Sequence, residues 1–300
     1  MELTGRTRFT AVFGDPVEHS LSPAMHNAAY AALGLERAYL AFHVAPERLQ
    51  DAIRAVPALQ IAGVNLTVPH KESALSMMTH LTEEALTLGA INCVVNRDGE
   101  LHGDNTDARG LERDLRESGI ALTGRTVVVV GAGGAAASAV LACTRMGTKK
   151  ILLCNRTVQR AHKLADHFRH LAQAPSGISI DAASLEELSD GRTFGGVALV
   201  INATPMGLKT GGFVPVASDA TPDDCVFYDM IYAPSATPFL APAIASGRRA
   251  LDGAGMLLYQ GALAFELFNN VTGPIEAMRA ALMSALGRDQ SPAATTATGV

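Results

Sequence analysis

The sequence contains no tryptophan, and aromatic residues fill only 5% of its 300 positions. Any core must therefore be assembled mainly from Ala, Val, Leu and Ile. The four cysteines, Cys93, Cys143, Cys154 and Cys225, are scattered and form no CxxC pair. That spacing excludes a disulfide framework and gives no zinc pattern, so no metal centre is expected. No apolar run approaches the ~20 residues that cross a bilayer, and no membrane partner is expected. Positive charge is scarce too: 24 Lys and Arg against 29 Asp and Glu leave a net charge of −5. That balance argues against nucleic acid as a partner. Residues Met1 to Thr10 are polar and lack the apolar core of a secretion signal, so a cytoplasmic location is expected. With 48% apolar and 18% charged residues the chain is ordinary for a globular protein, one large domain or two modest ones. The end of the chain, DQSPAATTATGV over 289–300, is small and polar and reads as a flexible tail.

Two alternations of strand and helix follow one another, the rhythm of an α/β chain. In the first, strands are expected at Phe9–Phe13, Ala38–Val44, Ile61–Leu66, Ala90–Asn96 and Leu101–His102, with a turn over Arg97 to Glu100. Helices are expected at Ser22–Leu33, Pro46–Val56, Pro69–Met78 and Thr82–Leu88. The second begins with the β-branched strand Thr126–Val130, then a helix Ala135–Met146, strand Lys150–Cys154 and helix Thr157–His170. Strands Ala198–Ile201, Cys225–Asp229 and Arg249–Leu251, with a helix Pro238–Ser246, complete it. The apolar helices Gly255–Asn270 and Pro274–Leu286 are expected to pack back on the first unit. A split organisation follows: 1–107 with 253–288 as one domain, and 108–252 as an inserted nucleotide-binding domain.

Between the strand and helix of the second unit lies VVVVGAGGAAASAV, with Gly131, Gly133 and Ala136 at G-x-G-x-x-A spacing. Such a loop lets backbone approach a pyrophosphate held at a helix N-terminus. The plainer reading is an ordinary glycine-rich turn. An NAD site usually carries an acid about 20 residues on. Here no acidic residue occurs between Gly131 and Thr157, and the strand ends in Asn155-Arg156-Thr157. Arg156 suits a 2′-phosphate, so NADP is favoured over NAD, unless Arg156 and Arg160 simply form a solvated helix face with Thr157 as its cap.

Three segments of the first unit carry polar groups beside helix starts. In HSLSP, Ser20 and Ser22 could present hydroxyls to a substrate carboxylate, or Ser22 could serve only as an N-cap. In NLTVPHK, Pro69 would open a helix and place Lys71 in its first turn, where the dipole opposes its charge. The plainer fate of Lys71 is solvent. In GDNTD, Asn105 or Thr106 could cap a helix with Asp107 in its first turn, which accounts for Asp107 structurally. A paired Lys71 and Asp107 would instead form a proton donor and its orienting carboxylate.

The ordered set HSLSP, NLTVPHK, AINCV, GDNTD, GAGGA, NRT, NATPMG and DGAGMLLYQ, from Gly14 to Gln260, resembles the shikimate dehydrogenase family. The resemblance implies reversible reduction of 3-dehydroshikimate to shikimate with NADPH, in aromatic amino-acid and chorismate biosynthesis. It implies an open α/β substrate domain and a doubly wound Rossmann domain with a cleft between them. Carried over by position, Lys71 and Asp107 are the catalytic pair. Ser20, Ser22, Asn65, Thr67, Asn92, Tyr232 and Gln260 join them around the substrate. The loop Gly131, Ala132, Gly133, Gly134 and Ala135, the group Asn155, Arg156 and Thr157, and Thr204, Met206, Met230 and Gly253 line the cofactor side. The chain departs from the family pattern after the glycine loop, where an Arg is common and Ala136, Ala137 and Ser138 stand, so one phosphate contact is missing. The readings held beside this one are a quinate/shikimate dehydrogenase using NAD and a non-catalytic ligand sensor. A homodimer paired at a sheet edge and a monomer both stay open, and hinges are expected near Asp104–Asp107 and Gly253–Gly255.

Overall fold

The computed structural model describes residues 3–170, 177–207 and 216–288. The tail expected over 289–300 lies outside the described residues. Two six-stranded sheets organise the chain. The first contains β1 (Arg8–Gly14), β2 (Arg37–His43), β3 (Gly63–Leu66), β4 (His80–Leu81), β5 (Cys93–Arg97) and β6 (Glu100–Asp104), in the order β2-β1-β3-β5-β6-β4. Only β5 runs against its neighbours; it pairs antiparallel with β3 and β6, whereas β1–β2, β1–β3 and β4–β6 are parallel. The helices of this part are α1 (Ser22–Ala32), α2 (Leu49–Ala58), α3 (His70–Ser73), α4 (Glu83–Leu88) and α5 (Asp107–Glu117).

The second sheet is wholly parallel. It holds β7 (Thr126–Val130), β8 (Lys150–Cys154), β9 (Ser179–Ala183), β10 (Val197–Asn202), β11 (Val226–Asp229) and β12 (Arg249–Asp252). Its order β12-β11-β10-β7-β8-β9 is the doubly wound order, with the reversal between β7 and β10. Helices α6 (Gly134–Arg145), α7 (Val158–His170) and α8 (Leu240–Ala245) accompany it. Val127 to Val130 and Val197 to Ile201 are buried at every position, as a parallel sheet covered on both faces requires.

The last helices, α9 (Ala254–Asn269) and α10 (Ile275–Ala285), return to the first sheet. Leu258, Phe265, Met278 and Leu282 share one apolar cluster with Met25, Tyr30 and Tyr39 of the first unit. Helix α5 bridges: its Ala108, Leu111 and Leu115 sit in the cluster of the second sheet, and it also packs on α9. That crossing is tight. A Cβ at Gly110 would stand 2.7 Å from Cβ of Gln260, so glycine there sets how closely Gln260 approaches α5.

Several boundaries differ from the sequence reading. The Ile61–Leu66 strand begins only at Gly63, because Gln60 at φ +54° and the Ile61 N–H bonded to Val56 are used to terminate α2. Likewise β5 begins at Cys93, since Gly89 in the left-handed region and the Ala90 N–H bonded to Ala85 close α4. The helix expected over Pro46–Val56 opens as a 3₁₀ turn, Pro46–Arg48. The one expected over Pro69–Met78 divides into α3 and a 3₁₀ turn at Leu75–Met77. Strands β4 and β9 escaped the sequence reading. β4 has two residues, and β9 (SIDAA) has a weak β pattern and is defined by pairing with β8, including a Lys150–Asp181 ion pair of 3.1 Å.

Candidate active site

Lys71 and Asp107 meet although 36 residues separate them: Lys71 Nζ lies 2.6 Å from Asp107 Oδ2. Lys71 stands in the first turn of α3, as expected from Pro69, and its backbone is tied down where its carbonyl accepts from Ile91 N–H at 2.9 Å. Asp107 opens α5 and is nearly buried. Its Oδ1 accepts from Asn92 Nδ2 at 2.7 Å, which leaves Oδ2 to the ammonium. Asn105, rather than the Thr106 at the cap position, does the capping: Oδ1 of Asn105 accepts from the Asp107 N–H at 3.0 Å, whereas the Thr106 side chain makes no cap bond.

Asn92 is the hub. It is buried, accepts from the Thr106 N–H at 2.8 Å and donates toward Gln260 Oε1 at 3.4 Å. Its backbone carbonyl accepts from Asn65 Nδ2 at 3.0 Å. Asn65 in turn takes the hydroxyl of Tyr39 at 2.7 Å. Burial drives the Tyr39 hydroxyl well above its ordinary value, so it stays a donor. Sequence reasoning passed over Tyr39 because it sits in a strand whose pattern marks it only as core.

These groups face a cleft of about 790 Å³. All nine residues expected on the substrate side line it: Ser20, Ser22, Asn65, Thr67, Lys71, Asn92, Asp107, Tyr232 and Gln260. From the cofactor set, Gly134, Ala135, Thr204, Met230 and Gly253 line it too. Gly131, Ala132, Gly133, Asn155, Arg156, Thr157 and Met206 do not. They lie where β7, β8 and β10 end, along the carboxyl edge of the second sheet. His19, Asn105, Met256 and Leu257 also line the cleft and were not anticipated. The two apolar residues come from the helix α9 that the sequence marks as core, so no local signal separates them from packing.

The Ser22 cap reading needs correction. Ser22 is the first residue of α1, Leu21 holds the cap position, and no side chain caps the helix. Oγ of Ser20 accepts from the Ser22 N–H at 3.4 Å. Proline at the next position explains the shift, because its fixed φ suits the first turn. Thr157 precedes α7, and its carbonyl accepts from Asn155 Nδ2 at 2.9 Å.

The carboxyl edge of the second sheet fits a dinucleotide. Gly131 has φ +125°, and a Cβ there would lie 2.9 Å from the Ala203 carbonyl oxygen. Nothing stands within 4 Å of where a Cβ at Gly133 or Gly134 would be, and no side chain caps α6, so its first N–H groups are open to an anion. Past β8, Arg156 is exposed and no carboxylate competes with it before Asp166. At β10, Asn202 orders the next loop: its Oδ1 accepts from the N–H and hydroxyl of Thr204, at 3.0 and 2.7 Å, and its Nδ2 donates to Asp229 at 2.9 Å. Burial raises Asp229 to about 6, against the pull of the Thr237, Ile231 and Asn202 donors. Gly131→Ala is expected to lower the unfolding free energy by about 1–3 kcal/mol, through strain at φ and displacement of Ala203. Urea unfolding checks this; an unchanged midpoint would mean the turn tolerates a side chain.

Comparison with known proteins follows the same layout. The profile of the shikimate dehydrogenase substrate binding domain matches residues 12–94, that of shikimate / quinate 5-dehydrogenase residues 114–187, and that of the shikimate 5′-dehydrogenase C-terminal domain residues 253–283. A shikimate dehydrogenase (NADP(+)) of Methanopyrus kandleri is 39% identical, over 95% of this chain and 98% of that protein. The Thermus thermophilus shikimate 5-dehydrogenase, solved with NADP(H) and shikimate, is 37% identical and superposes with a TM-score of 0.81, covering 93% of this chain and 100% of the other. The Listeria monocytogenes shikimate 5-dehydrogenase, solved with shikimate and NAD, gives 0.85 at 32% identity, over 93% and 97%. With its paired Lys71 and Asp107 beside a glycine loop at a sheet reversal, this chain belongs to the shikimate dehydrogenase family.

Proposed function

We propose that the chain catalyses the reversible NADPH-dependent reduction of 3-dehydroshikimate to shikimate, a step of aromatic amino-acid and chorismate biosynthesis. The observation that carries this reading is the 2.6 Å contact of Lys71 with Asp107 inside a cleft lined by short polar side chains and flanked by the glycine loop. A substrate with one carboxylate and several hydroxyls calls for such groups rather than an apolar pocket. Ser20 and Ser22 are assigned to the carboxylate. Thr67, Asn65, Asn92, Tyr232 and Gln260 are assigned to the hydroxyls.

Gly131 to Ala135, Asn155, Arg156, Thr157, Thr204, Met206, Met230 and Gly253 would hold the cofactor, whose reduced form, NADPH, would supply the hydride and whose oxidised form, NADP, would accept it in reverse. As the ketone carbon is reduced, negative charge grows on its oxygen. Lys71 Nζ stabilises that charge and gives the oxygen its proton. Asp107 Oδ2 orients the ammonium, and Asn92 holds Asp107 by its other oxygen. In the oxidative direction Lys71 receives the proton.

The same proposal divides the chain into 1–107 with 253–288 on the substrate side and 108–252 on the NADP side, with closure about Asp104–Asp107 and Gly253–Gly255 to exclude water. It places the protein in the cytoplasm. Among the described residues no helix is long and apolar enough to cross a membrane. The edge strand β2, with Leu40 and Phe42 partly exposed, supports edge-to-edge pairing into a homodimer, which light scattering tests.

Initial rates of reduced-cofactor formation test the central claim. Shikimate with NADP is expected to exceed both shikimate with NAD and quinate with NAD by at least about tenfold, since Arg156 gains only from a 2′-phosphate. Faster quinate turnover with NAD would overturn it. Ligand binding without any turnover would favour a sensor instead.

A further inference from the structure

At the outer edge of the first sheet, among residues that take no part in lining the cleft, three potential ligands converge. His80 of β4 sits directly opposite His102 of β6 in parallel register. Glu100 lies two residues before His102, on the same face of β6. The imidazoles stack at 4.5 Å with 24° between their planes. Oε2 of Glu100 lies 3.2 Å from His80 Nε2 and 3.9 Å from His102 Nε2. All three ligand atoms fall within 4.8 Å of one another, the only such group of three among the described residues.

We propose that His80, Glu100 and His102 form a binding site for a divalent cation of the Zn²⁺ class. A tetrahedral ion with bonds of about 2.0–2.1 Å holds its ligand atoms about 3.3–3.4 Å apart. The distances of 3.2 and 3.9 Å bracket that spacing, and turning the two imidazoles out of their stack would aim both nitrogens at one ion beside Glu100. Two imidazole nitrogens and one carboxylate select a late first-row ion over Mg²⁺ or Ca²⁺, which prefer oxygen. Water would fill the fourth position, since His80 and Glu100 are open to solvent.

The backbone beneath the ligands is fixed. The Thr79 N–H donates to Leu101 at 2.8 Å, the Leu101 N–H to Thr79 Oγ1 at 3.1 Å, and the Thr82 N–H to Gly103 at 3.0 Å. On the opposite face a Cβ at Gly103 would meet Met78, Leu81 and Ile91, so that side is filled. An ion here would bridge the two-residue edge strand β4 to β6 and hold the sheet edge closed. All four cysteines are buried and do not compete for it in the folded chain.

Calorimetric titration of the chelator-treated full chain with ZnCl₂ tests the site. One ion per chain is expected, with no heat from MgCl₂, and a thermal midpoint that rises with Zn²⁺. The double variant His80→Ala/His102→Ala should bind at least about tenfold more weakly and lose the thermal response. Its shikimate oxidation rate, read without added metal, should match the unsubstituted chain and report a native fold. In the unsubstituted protein, Zn²⁺ should shift the imidazole nitrogen resonances of both histidines, a readout that needs no variant. Equal affinity in the double variant, absence of binding, or unshifted resonances would overturn the proposal.

Discussion

Lys71→Ala is expected to lower turnover of shikimate by about 10²–10⁴-fold, the usual contribution of a positioned proton donor. Its KM for shikimate should change far less, because the ammonium acts on charge that develops only as the ketone oxygen is formed or consumed. Stability should fall only modestly: the nearly buried Asp107 loses its counter-charge, but the Lys71 side chain is about a third exposed and Asp107 keeps the donor from Asn92. Asp107→Asn should also be slow, for a different reason. An amide in that place turns one N–H toward either the Lys71 ammonium or the Asn92 amide, so one of the two bonds at 2.6 and 2.7 Å is lost. Steady-state kinetics with thermal unfolding separate the effects. A Lys71→Ala turnover within tenfold of the unsubstituted enzyme would remove the lysine from proton transfer.

The second large effect concerns acid stability. His26 is completely buried, stacked on Tyr39 at 4.1 Å, with Phe265 and Phe268 beside it. Neither ring nitrogen has a hydrogen-bond partner. Burial therefore lowers its pKa from 6.5 to about 3. In the unfolded chain the imidazole takes a proton near pH 6.5; in the folded chain it does not until about pH 3. Between those values the unfolded state binds more protons, so stability falls as the pH falls. The loss attributable to His26 approaches about 4 kcal/mol near pH 3, at about 1.4 kcal/mol per pH unit. Glu84, Asp114 and Asp229, all raised by burial, act in the opposite sense, because the folded state holds their protons more tightly. The comparison that isolates His26 is the difference between the pH profiles of the protein and of His26→Leu. That difference should be steep between about pH 6.5 and 4 and flat above about 7. Parallel profiles would show that the imidazole finds a partner or solvent in the folded state.

His26 also illustrates what a pattern can hide. In the sequence it lies within the helix expected over Ser22–Leu33, and nothing local marks it. Tyr39 of β2 covers one side of it and the return of α9 against α1 covers another, and α9 begins more than two hundred residues later. Tyr39 is a similar case. Its strand is expected from the sequence, but its bond to Asn65 depends on how β1, β2 and β3 lie side by side.

What the sequence by itself determined is local. The β-branched run Thr126–Val130, the glycines after it and the alanine-rich helix beyond prescribe strand, turn and helix within some twenty residues, because φ/ψ preference and hydrophobic period act over that range. The missing acid and the arginine after β8 belong to the same short span, so the cofactor preference is legible there. The motif order added the family. Tertiary structure alone decided which distant groups touch: Lys71 with Asp107, Asn92 with Gln260, His80 with Glu100 and His102. Those contacts arise from the pairing of strands and the crossing of α5 on α9, which bury apolar area from segments with no local relation. No spacing in the chain encodes them, since a contact across a sheet depends on register and strand order rather than on separation in sequence.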